Sequence, residues 1–96
     1  EMELAFYRVL QELINNVLKY SNALKLEIQL IKRESSITLI VEDNGNGFDL
    51  ESVMKYGEGI GLKNIETRIA YFGGTVHIDT LIGRGTIVTA EIPLTN

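Results

Sequence analysis

The sequence predicts an α/β fold: a two-layer sandwich with helices on one side of a mixed, mostly antiparallel sheet. Three observations predict it. Two stretches carry helical periodicity, four alternate like strands, and their order is helix, two strands, glycine-rich loop, helix, two strands. One layer of helices over one sheet is the economical way to bury an apolar face of each element. The chain has 96 residues, enough for one small domain with one core. No internal repeat, low-complexity segment or domain boundary interrupts it, so residues 1–96 read as a single domain. The chain starts without methionine and is helical in pattern at once, so it reads as a domain excised close to its first element.

From Glu3 to Lys19, apolar residues recur at Phe6, Leu10, Leu13 and Val17, with Val9, Ile14 and Leu18 widening the stripe. Glu12, Asn16 and Lys19 share a polar flank, because residues three and four apart stack on one side of a helix. Ser21-Asn22 ends the helix. Lys25 to Lys32 then alternates, with Leu26, Ile28 and Leu30 on one face. Ile37 to Asp43 repeats the alternation with Ile37, Leu39 and Val41, and the polar Arg33-Glu34-Ser35-Ser36 between the two predicts a β-hairpin. Residues 44 to 61 are rich in glycine and have no strong period, which predicts a long loop; in a small domain such loops are usually functional or mobile. Leu62, Ile65, Ile69 and Phe72 mark a second amphipathic helix, stopped by Gly73-Gly74. Thr75 to Thr80 alternates, Gly83-Arg84-Gly85 turns, and Thr86 to Ile92 alternates again before Pro93.

Composition excludes several classes of function. A net charge of −4 argues against a nucleic-acid surface, which needs a basic face. The absence of cysteine removes disulfides and thiolate metal sites and fits a reducing, cytoplasmic setting. No apolar run approaches the ~20 residues that cross a bilayer, and no signal-peptide pattern opens the chain, so no membrane contact is expected of this domain.

The chemistry concentrates at Asp43-Asn44-Gly45-Asn46-Gly47 and Gly57-Glu58-Gly59-Ile60-Gly61-Leu62. An acidic residue ends a strand, two glycine-rich turns follow, and a helix opens after Gly61. A carboxylate at a strand end can hold a base. Glycine lets the main chain approach and wrap a phosphate chain with N–H groups, and a helix start adds a field for anions. Together they suggest a nucleotide site. Asp43 falls on the inward face with Leu39 and Val41, where a carboxylate needs a partner such as the exocyclic amine of adenine. The same Asp-Asn-Gly triplet also suits a plain hairpin turn. A calcium loop fails because two of its ligand positions would be Gly45 and Gly47. A dinucleotide fingerprint fails for want of a strand before Gly57, and no Gly-Lys-Ser/Thr completes a P-loop. Glu12 and Asn16, one turn apart, suit a carboxylate that polarises a nucleophile and an amide oxygen for Mg²⁺, although a solvated helix face would look the same. Two asparagines in mid-helix, Asn15-Asn16, call for a reason, because asparagine is a poor helix former. His77, the only histidine, alternates away from Val76 and Ile78 and reads as a surface residue.

Taken in order, these motifs resemble the GHKL ATPase family of gyrase, heat-shock chaperones, histidine kinases and mismatch-repair proteins. They look most like the catalytic ATP-binding domain of a bacterial sensor histidine kinase, over nearly the whole chain. Glu12-Leu13-Ile14-Asn15-Asn16-Val17-Leu18-Lys19-Tyr20 resembles the N box, and Asp43-Asn44-Gly45-Asn46-Gly47 the first glycine box. Gly57 to Leu62 resembles the second, and Gly83-Arg84-Gly85-Thr86 the third. Gly61-Leu62-Lys63-Asn64-Ile65-Glu66-Thr67-Arg68 is similar to kinases whose regulators carry a helix-turn-helix output domain.

The resemblance implies an enzyme that binds ATP with Mg²⁺ and passes the γ-phosphoryl to a histidine on a separate dimerisation domain of the same protein. A downstream response regulator would follow, and without the acceptor domain there would be no transfer. It implies Asp43 on the adenine amine with Thr86 assisting through a water, Asn16 on Mg²⁺, and Glu12 at the position of the general base in the hydrolysing members. Lys19 would reach phosphate and Tyr20 would flank the nucleotide. Gly45 and Gly47 belong to the nucleotide box, and Gly57, Gly59, Gly61 and Leu62 to the phosphate box, under a lid of about residues 50 to 58. The chain departs from the family in a short inter-box loop without the phenylalanine-containing box, and in lacking the strand before the first helix. Two alternatives stay open: an anti-sigma-type GHKL serine kinase, and a nucleotide-binding regulatory module without turnover.

Overall fold

The computed structural model describes residues 2–55 and 60–94. Helix α1 spans Met2–Asn16 and passes directly into a π-helical turn, Val17–Ser21. Strands β1 (Leu26–Lys32) and β2 (Ser36–Asp43) form the hairpin. Two helices, α2 (Leu50–Lys55) and α3 (Ile60–Tyr71), precede the second hairpin of β3 (Thr75–Leu81) and β4 (Gly85–Pro93). The strand order is β1-β2-β4-β3 and every pairing is antiparallel. The sheet is therefore mostly antiparallel, as the pattern predicts, but it is not mixed among the described residues. β2 and β3 do run the same way, yet β4 inserts between them, so no parallel ladder forms.

The helices cover one face of this sheet. α1 buries Phe6, Val9 and Leu13, spaced three and four apart, with Ala5 one turn before Val9, which is the stripe that 3.6 residues per turn dictates. α3 contributes Leu62, Ile65 and Ile69, and the central strands supply Leu39, Val41, Val88, Ala90 and Ile92. The α3 stop is a Schellman motif. Gly74 N–H donates to the Ile69 carbonyl at 3.0 Å and Gly73 N–H to the Ala70 carbonyl at 2.9 Å, with Gly73 at φ 78°.

Two expectations are corrected, and a third holds with a limit on its burial. The first helix does not run as a regular α-helix to Lys19. It widens at Val17, where the Ser21 hydroxyl donates back to the Val17 carbonyl at 2.9 Å, and it ends on left-handed Asn22 at φ 55°. The stretch from 44 to 61 is not all loop. It holds α2, whose 6 residues are fewer than two turns and too few for a period to show. Leu50, Val53 and Met54 of that helix pack against the core. Finally, Leu26, Ile28 and Leu30 do pair with Asp43, Val41 and Leu39 on the helix-bearing face. Even so, Ile28 is 44% and Leu30 61% exposed. α1 lies over β2, and α3 over β3 and β4, so the helical layer stops short of the β1 edge.

This layout predicts unequal costs of truncation. Ile65 is 1% exposed, and Ile65→Ala should lose about 2–5 kcal/mol of unfolding free energy. Leu30→Ala should stay within about 0.5 kcal/mol, as surface substitutions do. Urea titration of the two variants checks this. Similar losses would mean that the β1 face is buried in solution.

Candidate nucleotide site

A cavity of about 430 Å³ opens between α1, α2, α3 and the ends of the central strands. Its walls are mostly apolar: Leu13 and Val17 from the first helix, Val41 and Val88 from the sheet, Phe48, Val53 and Leu62 from the segments after β2. The polar groups are few and converge from separate elements: Asp43, Thr86, Asn16 and Ser21. An apolar hollow of this size with a handful of placed polar groups is the usual form of a small-molecule site.

Register builds the floor. Asp43, the last residue of β2, stands directly opposite Thr86 of β4, and both are buried at 9% exposure. Asp43 Oδ1 accepts the Gly45 N–H at 2.8 Å. Asp43 lines the cavity, and its second carboxylate oxygen is not shut away from solvent. Thr86 shares a hydrogen bond of 2.8 Å with Thr80 Oγ1, and Thr80 Oγ1 also accepts Phe48 N–H at 3.0 Å.

The loop after Asp43 is tied on both sides. Asn44 Oδ1 accepts the Leu24 and Lys25 N–H groups at 3.0 and 2.9 Å. Asn46 N–H donates to the Ser21 carbonyl and Gly83 N–H donates to the Asn46 carbonyl, each at 2.6 Å. The π-helical turn, the loop and the β3–β4 turn are thus joined in series. Wide turns of this kind are frequent at functional sites. Here the turn carries Val17 and Ser21 to the cavity wall beside Asn16.

Of the residues singled out from the sequence, Asn16, Asp43, Gly47, Gly61, Leu62 and Thr86 line this one cavity. Gly47 holds φ 65° with its Cα against the Leu81 carbonyl, so no side chain fits there. Gly45 plays a different part: it fixes Asp43 from behind and packs on Ser21. Glu12 is half-buried and lies against Gly61, where a Cβ would fall 2.6 Å from Glu12 Oε2. Lys19 is exposed on the π-helical turn. The Tyr20 side chain, Gly57, Gly59 and the part of the lid from 56 to 58 lie outside the described residues. His77 is exposed on the bare face of β3, opposite Thr89. Phe48, Val53 and Thr80 were not singled out. Val41 and Val88 could have been, because their alternation puts them on the Asp43 face.

No group of three or more His, Cys, Asp or Glu able to hold a metal occurs among the described residues. Asn16 brings a single amide oxygen to the cavity wall. That donor set fits a hard cation which takes its remaining ligands from phosphate and water, as Mg²⁺ does.

Residues 1–96 match the family described as histidine kinase-, DNA gyrase B-, and HSP90-like ATPase. Over 96 residues the chain is 43% identical to the oxygen sensor histidine kinase NreB of Staphylococcus carnosus, covering 100% of this chain and 27% of that protein. Over 95 residues it is 34% identical to the signal transduction histidine-protein kinase/phosphatase DegS of Bacillus subtilis, covering 98% of this chain and 25% of that protein. The chain therefore spans about a quarter of the length of these curated relatives. Among solved structures, the histidine kinase AdeS of Acinetobacter baumannii superposes with a TM-score of 0.79 at 29% identity, over 96% of this chain and 47% of that one. The histidine kinase domain of an Erythrobacter litoralis blue-light activated kinase gives 0.78 at 19% identity, over 94% and 43% of the two chains, and speaks for the fold alone.

The two cavity glycines should respond differently to a methyl group. At Gly47 it would meet backbone in a left-handed conformation, so Gly47→Ala should cost roughly 2 kcal/mol or more. At Gly61 it would meet the far end of the Glu12 side chain, which can swing aside. The gain in helix propensity, about 1 kcal/mol, should leave Gly61→Ala near neutral in stability. Chemical denaturation reads both, and a Gly47→Ala protein as stable as the parent would contradict this loop geometry.

Proposed function

The chain belongs to the histidine kinase-, DNA gyrase B-, and HSP90-like ATPase family, and on that premise we propose that it binds Mg·ATP and donates the γ-phosphoryl group to a histidine on a separate dimerisation domain. The observation that carries this reading is the floor of the cavity, where the Asp43 carboxylate and Thr86 stand side by side beneath apolar walls. Asp43 accepts from the adenine amine, and Thr86 beside it assists through a water. Val41, Val88, Leu62 and Phe48 enclose the base. The triphosphate runs toward Asn16 and the start of α3, a helix of 12 residues whose N-terminal field favours anions.

Phosphoryl transfer asks the protein chiefly for positioning and charge neutralisation. Bound Mg²⁺ would supply charge neutralisation at the phosphates, and Asn16 is the residue that would hold it. Lys19, exposed on the π-helical turn, would reach phosphate, and Tyr20 would flank the nucleotide. Gly57, Gly59 and Gly61 contact the phosphates under the lid, of which α2 is the described part; none of the α2 residues is fully buried. The acceptor imidazole nitrogen attacks the γ-phosphorus, the bond to the β,γ-bridging oxygen breaks, and ADP leaves. Glu12, which lies against Gly61, would draw the imidazole proton. The relatives named as histidine kinases favour a histidine acceptor over a serine one. A response regulator then receives the phosphoryl group, in the cytoplasm. No helix among the described residues is long and apolar enough to cross a membrane.

Two measurements test the proposal. Calorimetry should show tighter binding of ATP than of GTP, because a carboxylate repels the guanine carbonyl. Asp43→Ala should lose about 1.5–3 kcal/mol of ATP binding, the worth of a charge-assisted hydrogen bond. Undiminished ATP affinity in that variant would sink the assignment. In the second, the protein is incubated with labelled ATP and Mg²⁺, alone and then with the acceptor-bearing helical domain of its own full-length kinase. Acid-labile phosphate should appear on the added domain and not on this chain, since His77 on a rigid strand cannot reach the ~3–3.5 Å that attack requires. Label on this chain that vanishes with His77→Ala would overturn the transfer mechanism.

A further inference from the structure

Thr86 does not stand alone at the cavity floor. In register across three strands, Asp43, Thr86 and Thr80 form one row, with Asp43 opposite Thr86 and Thr86 opposite Thr80. Thr80 is buried at 9% exposure behind Thr86. A hydroxyl carries one proton to donate and two lone pairs to accept. Thr80 Oγ1 has three neighbours: Phe48 N–H at 3.0 Å, the Gly85 carbonyl at 3.3 Å and Thr86 Oγ1 at 2.8 Å.

These contacts can be counted. Phe48 N–H only donates, so it takes one lone pair of Thr80. The Gly85 carbonyl only accepts, so it takes the single Thr80 proton. One lone pair remains for Thr86, which must therefore donate its own proton to Thr80. The alternative, in which Thr80 donates to Thr86, leaves the Gly85 carbonyl facing a lone pair. We infer that Thr80 is a positioning residue which fixes the Thr86 hydroxyl proton away from the cavity, so that Thr86 offers only lone pairs to what binds there. Beside it, the Asp43 carboxylate also accepts. A water held between them spends its protons on Thr86 and Asp43 and keeps lone pairs for the ligand, so the polar floor, directly or through that water, selects a donor such as an amine and disfavours a carbonyl in its place.

This rests on the nucleotide-binding reading, and the test separates the two. ATP and inosine triphosphate differ at the position where ATP carries the amine and inosine a carbonyl oxygen. Calorimetry gives the ratio of their affinities for the parent protein and for Thr80→Val, Thr80→Ser, Thr86→Val and the double variant. The parent should prefer ATP; absence of binding or of preference overturns the nucleotide reading and this inference with it. In Thr80→Val the Thr86 hydroxyl is released and can turn to donate. The ATP preference should then fall by about three- to ten-fold, the range of a neutral hydrogen bond. Thr80→Ser, which keeps the hydroxyl, should restore it. With Thr86→Val already in place, Thr80→Val should change the ratio no further. A merely structural role would weaken both nucleotides alike and leave the ratio unmoved, and that result overturns the inference. So does a change in ratio that persists without the Thr86 hydroxyl. If Thr80→Val does not melt cooperatively, Thr80→Ala gives the same reading.

Discussion

The antiparallel ladder between β2 and β4 is the constraint on which the rest depends. Its register places Asp43 opposite Thr86, Val41 opposite Val88 and Leu39 opposite Ala90. Because side chains alternate with a period of two, the same register decides the core and the site together. A slip of one residue would send the apolar set to the bare face and take Asp43 with it. The strong hydrophobic preference of Leu39 and Val41 for the helix side therefore holds the carboxylate in place at the end of the same row. The polar group is tolerable there because it lines the cavity rather than the packed core, with one oxygen accepting the Gly45 N–H.

The cavity itself comes from what the helices leave uncovered. α1 rests over β2 and α3 over β3 and β4, and the two helices meet each other. Toward the Asp43 end the layer opens, and α2 with Phe48 and Val53 partly closes it. The walls belong to pieces far apart in the chain, so their spacing must be set by contacts between loops. Short backbone hydrogen bonds do this, running from Ser21 to Asn46 and from Asn46 to Gly83. The asparagines of the Asp43–Gly47 stretch are structural ties: Asn44 through its side chain and Asn46 through its backbone. The ion pair of Arg84 and Asp79 at 2.6 Å lies on the outer face, is about half exposed, and adds little to this frame.

Much of this was legible in the chain. Strong periodicities marked both long helices and all four strands, because long amphipathic runs have few other ways to bury their apolar side. The alternation of Ile37, Leu39 and Val41 placed Asp43 inward, and the glycine boxes marked the turns around it. Three features were not legible. A helix of 6 residues has too little length to show a period, and a π-helical turn reads as ordinary helix in sequence. The exposure of Ile28 and Leu30 depends on how far the helical layer reaches, which no local pattern records.

The sequence by itself determined the element order, the inward faces and the identity of the polar residues that could meet a nucleotide. Those are local matters, governed by side-chain period, glycine and turn chemistry within about a dozen residues. Only the tertiary structure decided which of them meet. Asn16, Asp43, Gly61 and Thr86 come together because the β2–β4 register and the crossing of α1 with α3 close distances of 18 to 70 positions along the chain. It also assigned Gly45 to support Asp43, and it set Thr80 behind Thr86. A hydroxyl on a strand carries no sign in sequence of what stands opposite it, since cross-strand neighbours are set by long-range pairing.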